Sequence, residues 1–212
     1  MHVSAKTANL AIGVLFAIGS TCFLIGPFPG YVQIVGSAAD GMTFFVGSIF
    51  FTSAALLQFA TTGVVGGGRI DWWAGGIQFV GTICFNVSTY AALQDSLDTS
   101  AVDRLVWRPD VYGSICFLVS SYLAYRSVGG GSAGRTIRSS REWRIGAANL
   151  LGSVAFGVSA IAGYVVPKTG DVLALGAANF TTSLGAFCFL AGAIMLILIA
   201  RAASGPEPAP AQ

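Results

Sequence analysis

The chain has 212 residues, of which 11 are lysine or arginine and 9 are aspartate or glutamate. A charged fraction of 9% and a hydrophobic fraction of 54% leave too few polar side chains to cover a water-facing surface, since soluble domains carry about 25% charged residues. These values argue against a soluble globular domain, a disordered chain and a disulfide-stapled mini-domain. They predict an integral membrane protein.

Six long uncharged apolar stretches follow one another along the chain. They cover residues 7–26, 41–68, 72–94, 111–125, 145–166 and 172–200. About 20 apolar residues in a helix cross a hydrocarbon core of about 30 Å. The fourth stretch has only 15 residues, but Trp107 and Tyr125 can lie at the two interfaces, so we predict six spans. For the first stretch the alternative is a secretory signal, which the lack of an Ala-x-Ala site disfavours.

The charges predict the orientation of these spans. Loops on the side of both termini carry eight cations and the opposite loops carry three, while six of the nine acids lie on the opposite side. Cytoplasmic loops are enriched in lysine and arginine, so both termini are predicted to be cytoplasmic. Residues 1–205 are predicted to form a single membrane domain, followed by a disordered Pro/Ala tail at 206–212.

Internal repeats relate the spans in pairs. Residues 72–88 align without gaps with residues 143–159, and the first stretch joins at an offset of 140 by matching Phe16 with Phe156. The second, fourth and sixth stretches share the form Gly-[Ser/Ala]-x-x-Phe, which begins at Gly47, Gly113 and Gly185.

These matches predict the fold class, with chance similarity among Gly- and Phe-rich helices as the alternative. The prediction is an all-α, polytopic transmembrane helical bundle of six spans, arranged as three parallel αα-hairpin repeats at about 8–61, 72–126 and 142–201. Three polar residues lie about one turn inside their helices: Asn9, Gln78 and Asn149. Their amides are predicted to bond to neighbouring helices, each for roughly 0.5–2 kcal/mol. Solute binding is the alternative role.

Two short segments carry a family resemblance. The first is Phe-Ala-Ile-Gly-Ser at 16–20, and the second is Val-Gly-Ser-Ile-Phe-Phe at 46–51. They resemble the YrhK-like domain, a two-helix bacterial membrane module without an established biochemical role. The resemblance implies a location in the bacterial inner membrane and supplies no catalytic residues.

The middle of every span lacks the groups that catalysis requires. No Asp, Glu, Lys, Arg or His lies there, and the single histidine is His2. Catalysis and ion coupling inside a bilayer normally use an ionisable group, so we predict no enzymatic activity and no cofactor. Four cysteines lie in separate spans, at Cys22, Cys84, Cys116 and Cys188. They are interpreted as small packing residues, with a soft-metal or redox site as the alternative.

Four arginines recur at every third position before the fifth stretch: Arg135, Arg138, Arg141 and Arg144. The residues between them are too polar for an embedded voltage sensor. As a stripe at the cytoplasmic surface, the arginines would attract anionic lipid at about 1 kcal/mol per cation. The alternatives are plain topological anchoring and partner docking.

The longest loop on the opposite side covers residues 94–110. Its Ser100-x-x-Asp103 pattern resembles a capping box that opens a short interfacial helix with Trp107 towards the membrane. Its aspartates are interpreted as a solvated acidic loop, with cation binding as the alternative.

Two functions remain at the level of the sequence. The first is a structural or accessory membrane component that packs against a protein partner or a second copy of itself. The alternative is a small passive channel or uncoupled transporter of a small solute or lipid, with a polar path near a pseudo-threefold axis. The lipid bilayer is a predicted partner in both, and no nucleic-acid partner is predicted.

Overall fold

The computed structural model describes residues 4–94, 96–129 and 141–202. Its α-helices are α1 (Ala5–Ile25), α2 (Tyr31–Val35), α3 (Ser37–Thr61), α4 (Arg69–Ala91), α5 (Thr99–Val102), α6 (Arg108–Gly129), α7 (Arg141–Ala162) and α8 (Leu175–Ala202), and a short π-helix (Asp103–Trp107) joins α5 to α6. Within these ranges the only β pairing is an isolated bridge between Val165 and Val172, so the predicted all-α class is confirmed. The predicted tail at 206–212 lies outside the described residues.

Four of the long helices are apolar enough to cross a membrane. These are α1, α3, α7 and α8. The helices α4 and α6 have 23 and 22 residues, which suffices in length, but polar residues such as Gln78 and Ser120 lower their apolarity. The fourth predicted stretch is thus part of a helix longer than the 15 residues that separate its charges.

The six long helices form a closed ring in chain order. Each packs against the helix before it and the helix after it, and α8 returns to pack against α1. Neighbouring helices run antiparallel, as the order of their contacts shows: Ser48 bonds to Thr89 at 2.9 Å, whereas Thr52, further along α3, bonds to Asn86 at 3.1 Å. The helices α1, α4 and α7 therefore begin at the same end of the ring, here called the amino end.

Paired glycines bring the two long helices of each hairpin close together. A Cβ atom placed on Gly19 of α1 would lie 2.9 Å from the carbonyl oxygen of Gly47 in α3. Without side chains at the crossing, the backbones approach closely enough for extensive van der Waals contact, which drives helix association in lipid. The pairs, one in each hairpin, are Gly19–Gly47, Gly81–Gly113 and Gly152–Gly185.

The glycine pairs correct the predicted register of the first stretch. Each of Gly19, Gly81 and Gly152 opens a Gly-[Ser/Thr]-x-x-Phe segment, so this motif occurs in all six long helices rather than in three. The contacts relate Gly19 to Gly152 at an offset of 133 instead of the predicted 140. The difference is seven residues, or about two helical turns, which leaves the same face of α1 directed inwards. A pattern of apolar residues cannot distinguish the two registers.

Hydroxyl groups join the remaining helix pairs. Ser121 of α6 and Ser153 of α7 share a buried hydrogen bond of 2.8 Å, and Ser183 of α8 donates to the carbonyl oxygen of Leu24 at 3.3 Å. Such bonds satisfy polar groups that water cannot reach, and each contributes about 0.6 kcal/mol on average.

The loop before α6 differs from its prediction. Asp98, not Ser100, caps α5, and its carboxylate accepts a 2.7 Å hydrogen bond from the backbone N–H of Ala101. The Ser100-x-x-Asp103 box is therefore wrong, because the carboxylate two residues earlier already satisfies the free amide. Trp107 is turned towards α7, where its indole N–H donates to the carbonyl oxygen of Ala160 at 2.9 Å.

Candidate functional site

Phenylalanine rings fill the centre of the helical ring in two layers, which together are called the aromatic plug. In the first layer, the ring centroids of Phe51, Phe117 and Phe189 lie 5.5–6.1 Å apart. In the second layer, Phe156 lies 6.3 Å from Phe23 and 6.2 Å from Phe85.

Within each hairpin the two layers also touch. The centroid separations are 5.6 Å for Phe23–Phe51, 5.1 Å for Phe85–Phe117 and 5.4 Å for Phe156–Phe189. Phe51 and Phe117 are only 2% and 1% exposed. The plug is thus a packed core of edge-on and tilted aromatic pairs with one stacked pair, Phe156–Phe189, and it interrupts any path along the axis of the ring.

A cavity of about 180 Å³ lies between the aromatic plug and the amino end of the ring. We call it the amide cavity, because four carboxamide side chains from four helices line it: Asn9, Gln58, Gln78 and Asn149. Its other walls are apolar and include two phenylalanines, Phe16 and Phe189. No charged residue of the described chain lines it.

The cavity brings together all three amides that the sequence analysis singled out. Gln58 was missed there, although one signal pointed to it. It follows Phe51 by seven residues in α3, just as Gln78 precedes Phe85 by seven in α4. A separation of seven keeps two side chains on the same helix face, about 10 Å apart along the axis, so an amide two turns from a plug phenylalanine faces the same interior.

Only one of the four amides has a partner within the described chain. The Ser120 hydroxyl donates to Gln78 Oε1 at 3.3 Å and to the carbonyl oxygen of Ala74 at 2.8 Å. Asn9, Gln58 and Asn149 make no side-chain hydrogen bond to another described residue. Gln78 thus joins α4 to α6, whereas the packing role of Asn9 and Asn149 stays a prediction.

Asn149 lies directly over a glycine of the neighbouring helix. A Cβ atom on Gly192 of α8 would lie 2.5 Å from Asn149 Oδ1. Because Gly192 has no side chain, the Asn149 amide can lie against the backbone of α8 at the cavity wall.

A second, much smaller space lies on the other side of the aromatic plug. It has a volume of about 30 Å³, that of a single water, and its polar lining is Asp110, Ser114, Ser159 and Thr182. Ser159 and Thr182 bond to each other at 2.6 Å. Asp110, the last residue of the predicted loop 94–110, contributes the one carboxyl group of this lining.

The other sequence-predicted residues lie away from these cavities. Arg141 and Arg144 are exposed in the first turn of α7, whereas Arg135 and Arg138 lie outside the described residues. Among the residues that the structure describes, no three His, Cys, Asp or Glu side chains converge as a metal site would require. Cys22 and Cys116 lie at glycine crossings, where each Cβ is 2.7 Å from the position that a Cβ on Gly47 or Gly81 would take.

No protein-family model, curated protein or solved structure matches this chain. The resemblance to the YrhK-like domain therefore stays a prediction.

Proposed function

We propose that all six long helices cross the membrane as three parallel hairpin repeats. Three of the ring's neighbouring pairs, α1–α3, α4–α6 and α7–α8, cross at equivalent glycines and contribute equivalent phenylalanines to the aromatic plug. The two less apolar helices, α4 and α6, therefore lie at the same depth as the four apolar ones. A helix of 22 residues is about 33 Å long, enough for the hydrocarbon core.

We propose an orientation with both termini in the cytoplasm of a bacterium, with the protein in the inner membrane. Eight of eleven cations lie on the side of the termini, in accord with the bias of cytoplasmic loops. The amide cavity then opens towards the cytoplasm, and the exposed Arg141 and Arg144 lie where anionic headgroups gather.

Labelling of introduced cysteines tests this topology. In a background with alanine at the four native cysteines, Thr99→Cys is expected to react with a membrane-impermeant maleimide added to intact cells, and Ser132→Cys only after lysis. Reaction of Ser132→Cys but not of Thr99→Cys in intact cells would reverse the orientation. Protection of both sites, or reaction of both, would overturn the six-span arrangement.

We infer a non-catalytic structural or accessory role in the membrane rather than solute conduction. The observation that supports it is the aromatic plug, since a passive pore needs a continuous polar path and the plug interrupts this one. Hydroxyl side chains of the ring instead join neighbouring helices, as between Ser121 and Ser153. Protein partners or further copies of the chain would then pack on its outer surface.

Two measurements separate this role from conduction. Proteoliposomes with the purified protein are expected to release urea, glycerol or K⁺ no faster than protein-free liposomes. Solute flux that rises with the amount of protein would refute the accessory role and support the channel. Gentle native purification followed by mass spectrometry is expected to show a co-purifying protein or a defined oligomer, with the monomer alone as the contrary result.

A further inference from the structure

The amide cavity carries an inference beyond structural support. Four carboxamides from α1, α3, α4 and α7 converge on one space of about 180 Å³. Three of them, Asn9, Gln58 and Asn149, have no side-chain hydrogen bond to any described residue. All three side chains are only partly buried, and none of their amide atoms is fully enclosed without a partner. The amides therefore reach space that water or a ligand can occupy, and polar groups in such places normally bond to it. Three unpaired amides at one cavity indicate that their partners come from molecules inside it.

The lining specifies what those molecules are. Each carboxamide offers two N–H donors and an acceptor oxygen, and no described lysine, arginine, aspartate or glutamate lines the cavity to balance a ligand's charge. A charged ligand would lose hydration without gaining a counter-charge. The apolar walls, which include Ile12, Phe16 and Phe189, suit a flat apolar face.

The volume sets the size of the ligand. A space of about 180 Å³ corresponds to about six waters at about 30 Å³ each, or to a single molecule of on the order of ten non-hydrogen atoms. The cavity ends where Phe189 of the aromatic plug and the neighbouring Phe16 line it, so a ligand would enter and leave at the amino end of the ring.

We propose that the amide cavity binds one small, uncharged molecule that presents amide- or urea-like donors and acceptors on one edge and an aromatic face on the other. The Asn9, Gln58 and Asn149 amides bond to its polar edge, and the phenylalanine walls hold its ring. Binding at this site needs neither conduction nor a particular membrane orientation. Failure of the accessory role would therefore leave the site standing, and loss of the site would leave the accessory role unaffected.

The test compares neutral probes with a charged analogue of the same shape. Purified full-length protein in lipid nanodiscs is titrated with nicotinamide, benzamide, phenylurea and thymine, and with nicotinate as the anionic match of nicotinamide, by isothermal titration calorimetry. At least one neutral probe is expected to bind with a stoichiometry near one, and nicotinate at least about tenfold more weakly than nicotinamide. Absence of saturable binding for all four neutral probes at millimolar concentration, or equal affinity for nicotinate, would overturn the proposal.

Variants assign the binding to the cavity. Asn149→Leu keeps the side-chain size but removes its donors and acceptor, and a lost hydrogen bond weakens binding by about 2- to 12-fold. Asn179→Leu in α8 is the matched control, since Asn179 does not line the cavity, and its affinity should equal that of the wild type. Gln58→Leu provides a second test if Asn149→Leu fails to fold. Equal binding by the cavity variants and the control would overturn the assignment.

Discussion

The glycine crossings make a sharp prediction that concerns Gly152 and Gly157 of the same helix. A Cβ atom on Gly152 would lie 2.9 Å from the carbonyl oxygen of Gly185 and 3.0 Å from the Phe189 ring, whereas a Cβ on Gly157 would meet nothing within 4 Å. Gly157→Ala therefore serves as the control for Gly152→Ala. Both substitutions gain the same helix propensity, about 1 kcal/mol, so this term cancels in their comparison.

The expected difference between the two variants follows from the steric clash. Close C–H···O contacts have carbon–oxygen distances of about 3.3 Å or more, so α8 must move away from α7 by about 0.4 Å to admit the new methyl group. Overpacking of a close-packed interface costs about 1–3 kcal/mol. Gly152→Ala should therefore be about 1–3 kcal/mol less stable than Gly157→Ala, which itself should match or exceed the wild type.

Thermal unfolding in detergent, followed by tryptophan fluorescence, measures this difference. For a chain of this length, 1 kcal/mol corresponds to about 2–4 °C, so the Tm values of the two variants should differ by about 2–12 °C. If Gly152→Ala raises the Tm as much as Gly157→Ala does, the close approach of α7 and α8 is refuted. Gly81→Ala is expected to repeat the loss in the second hairpin, because its Cβ would lie 2.7 Å from Cys116 Cβ.

Three further outcomes follow from the packing and the loop. Phe51→Ala removes a fully buried ring from the plug and should cost about 3–5 kcal/mol, the lost transfer free energy plus the cavity term. Phe180→Ala, at a site 67% exposed, should change the Tm little, and equal effects would contradict the plug. Ser121→Ala breaks the buried bond to α7 and should cost about 0.6–1.7 kcal/mol in the same assay, whereas an unchanged Tm would show that this bond adds nothing. Hydrogen bonds to the Asp98 carboxylate, from the backbone N–H of Ala101 first and from the Ser100 hydroxyl second, hold the pKa of Asp98 below its usual value. The cap is therefore complete above the unfolded pKa of about 3.9 and is lost as the pH falls through the lower folded value. Hydrogen exchange of the α5 amides, corrected for its intrinsic pH dependence, should accelerate over that range only, and Asp98→Asn should abolish the pH dependence.

The extent to which the site was predictable differs from residue to residue. Asn9, Gln78 and Asn149 stand out in the sequence because an amide inside an apolar helix is costly unless it is paired. Their convergence on one cavity was not predictable, since it depends on how the helices are rotated in the ring. Gln58 was missed because the equivalent positions of the other even-numbered stretches, seven residues after the plug phenylalanine, are Ala124 and Leu196 and carry no amide.

The register of α1 shows a different limit. Matching Phe16 with Phe156 and matching Phe23 with Phe156 are both compatible with the sequence, because the two choices differ by about two full turns and direct the same face inwards. Only the contact of Gly19 with Gly47 decides between them. The shift of one helix along its axis relative to its neighbour depends on the contacts between the two helices, so the sequence of one helix alone does not determine it.

The sequence by itself determined the helical class and the apolar character of the chain. Both follow from the small number of charges and the long apolar stretches, which are properties of neighbouring residues in the chain and do not depend on tertiary contacts. The tertiary structure decided the closed order of the ring, the filling of its centre by two layers of phenylalanine and the meeting of four amides at one end. Each of these arises from contacts between residues far apart in the chain, such as Phe51 with Phe189, where close packing selects one arrangement among several with the same pattern.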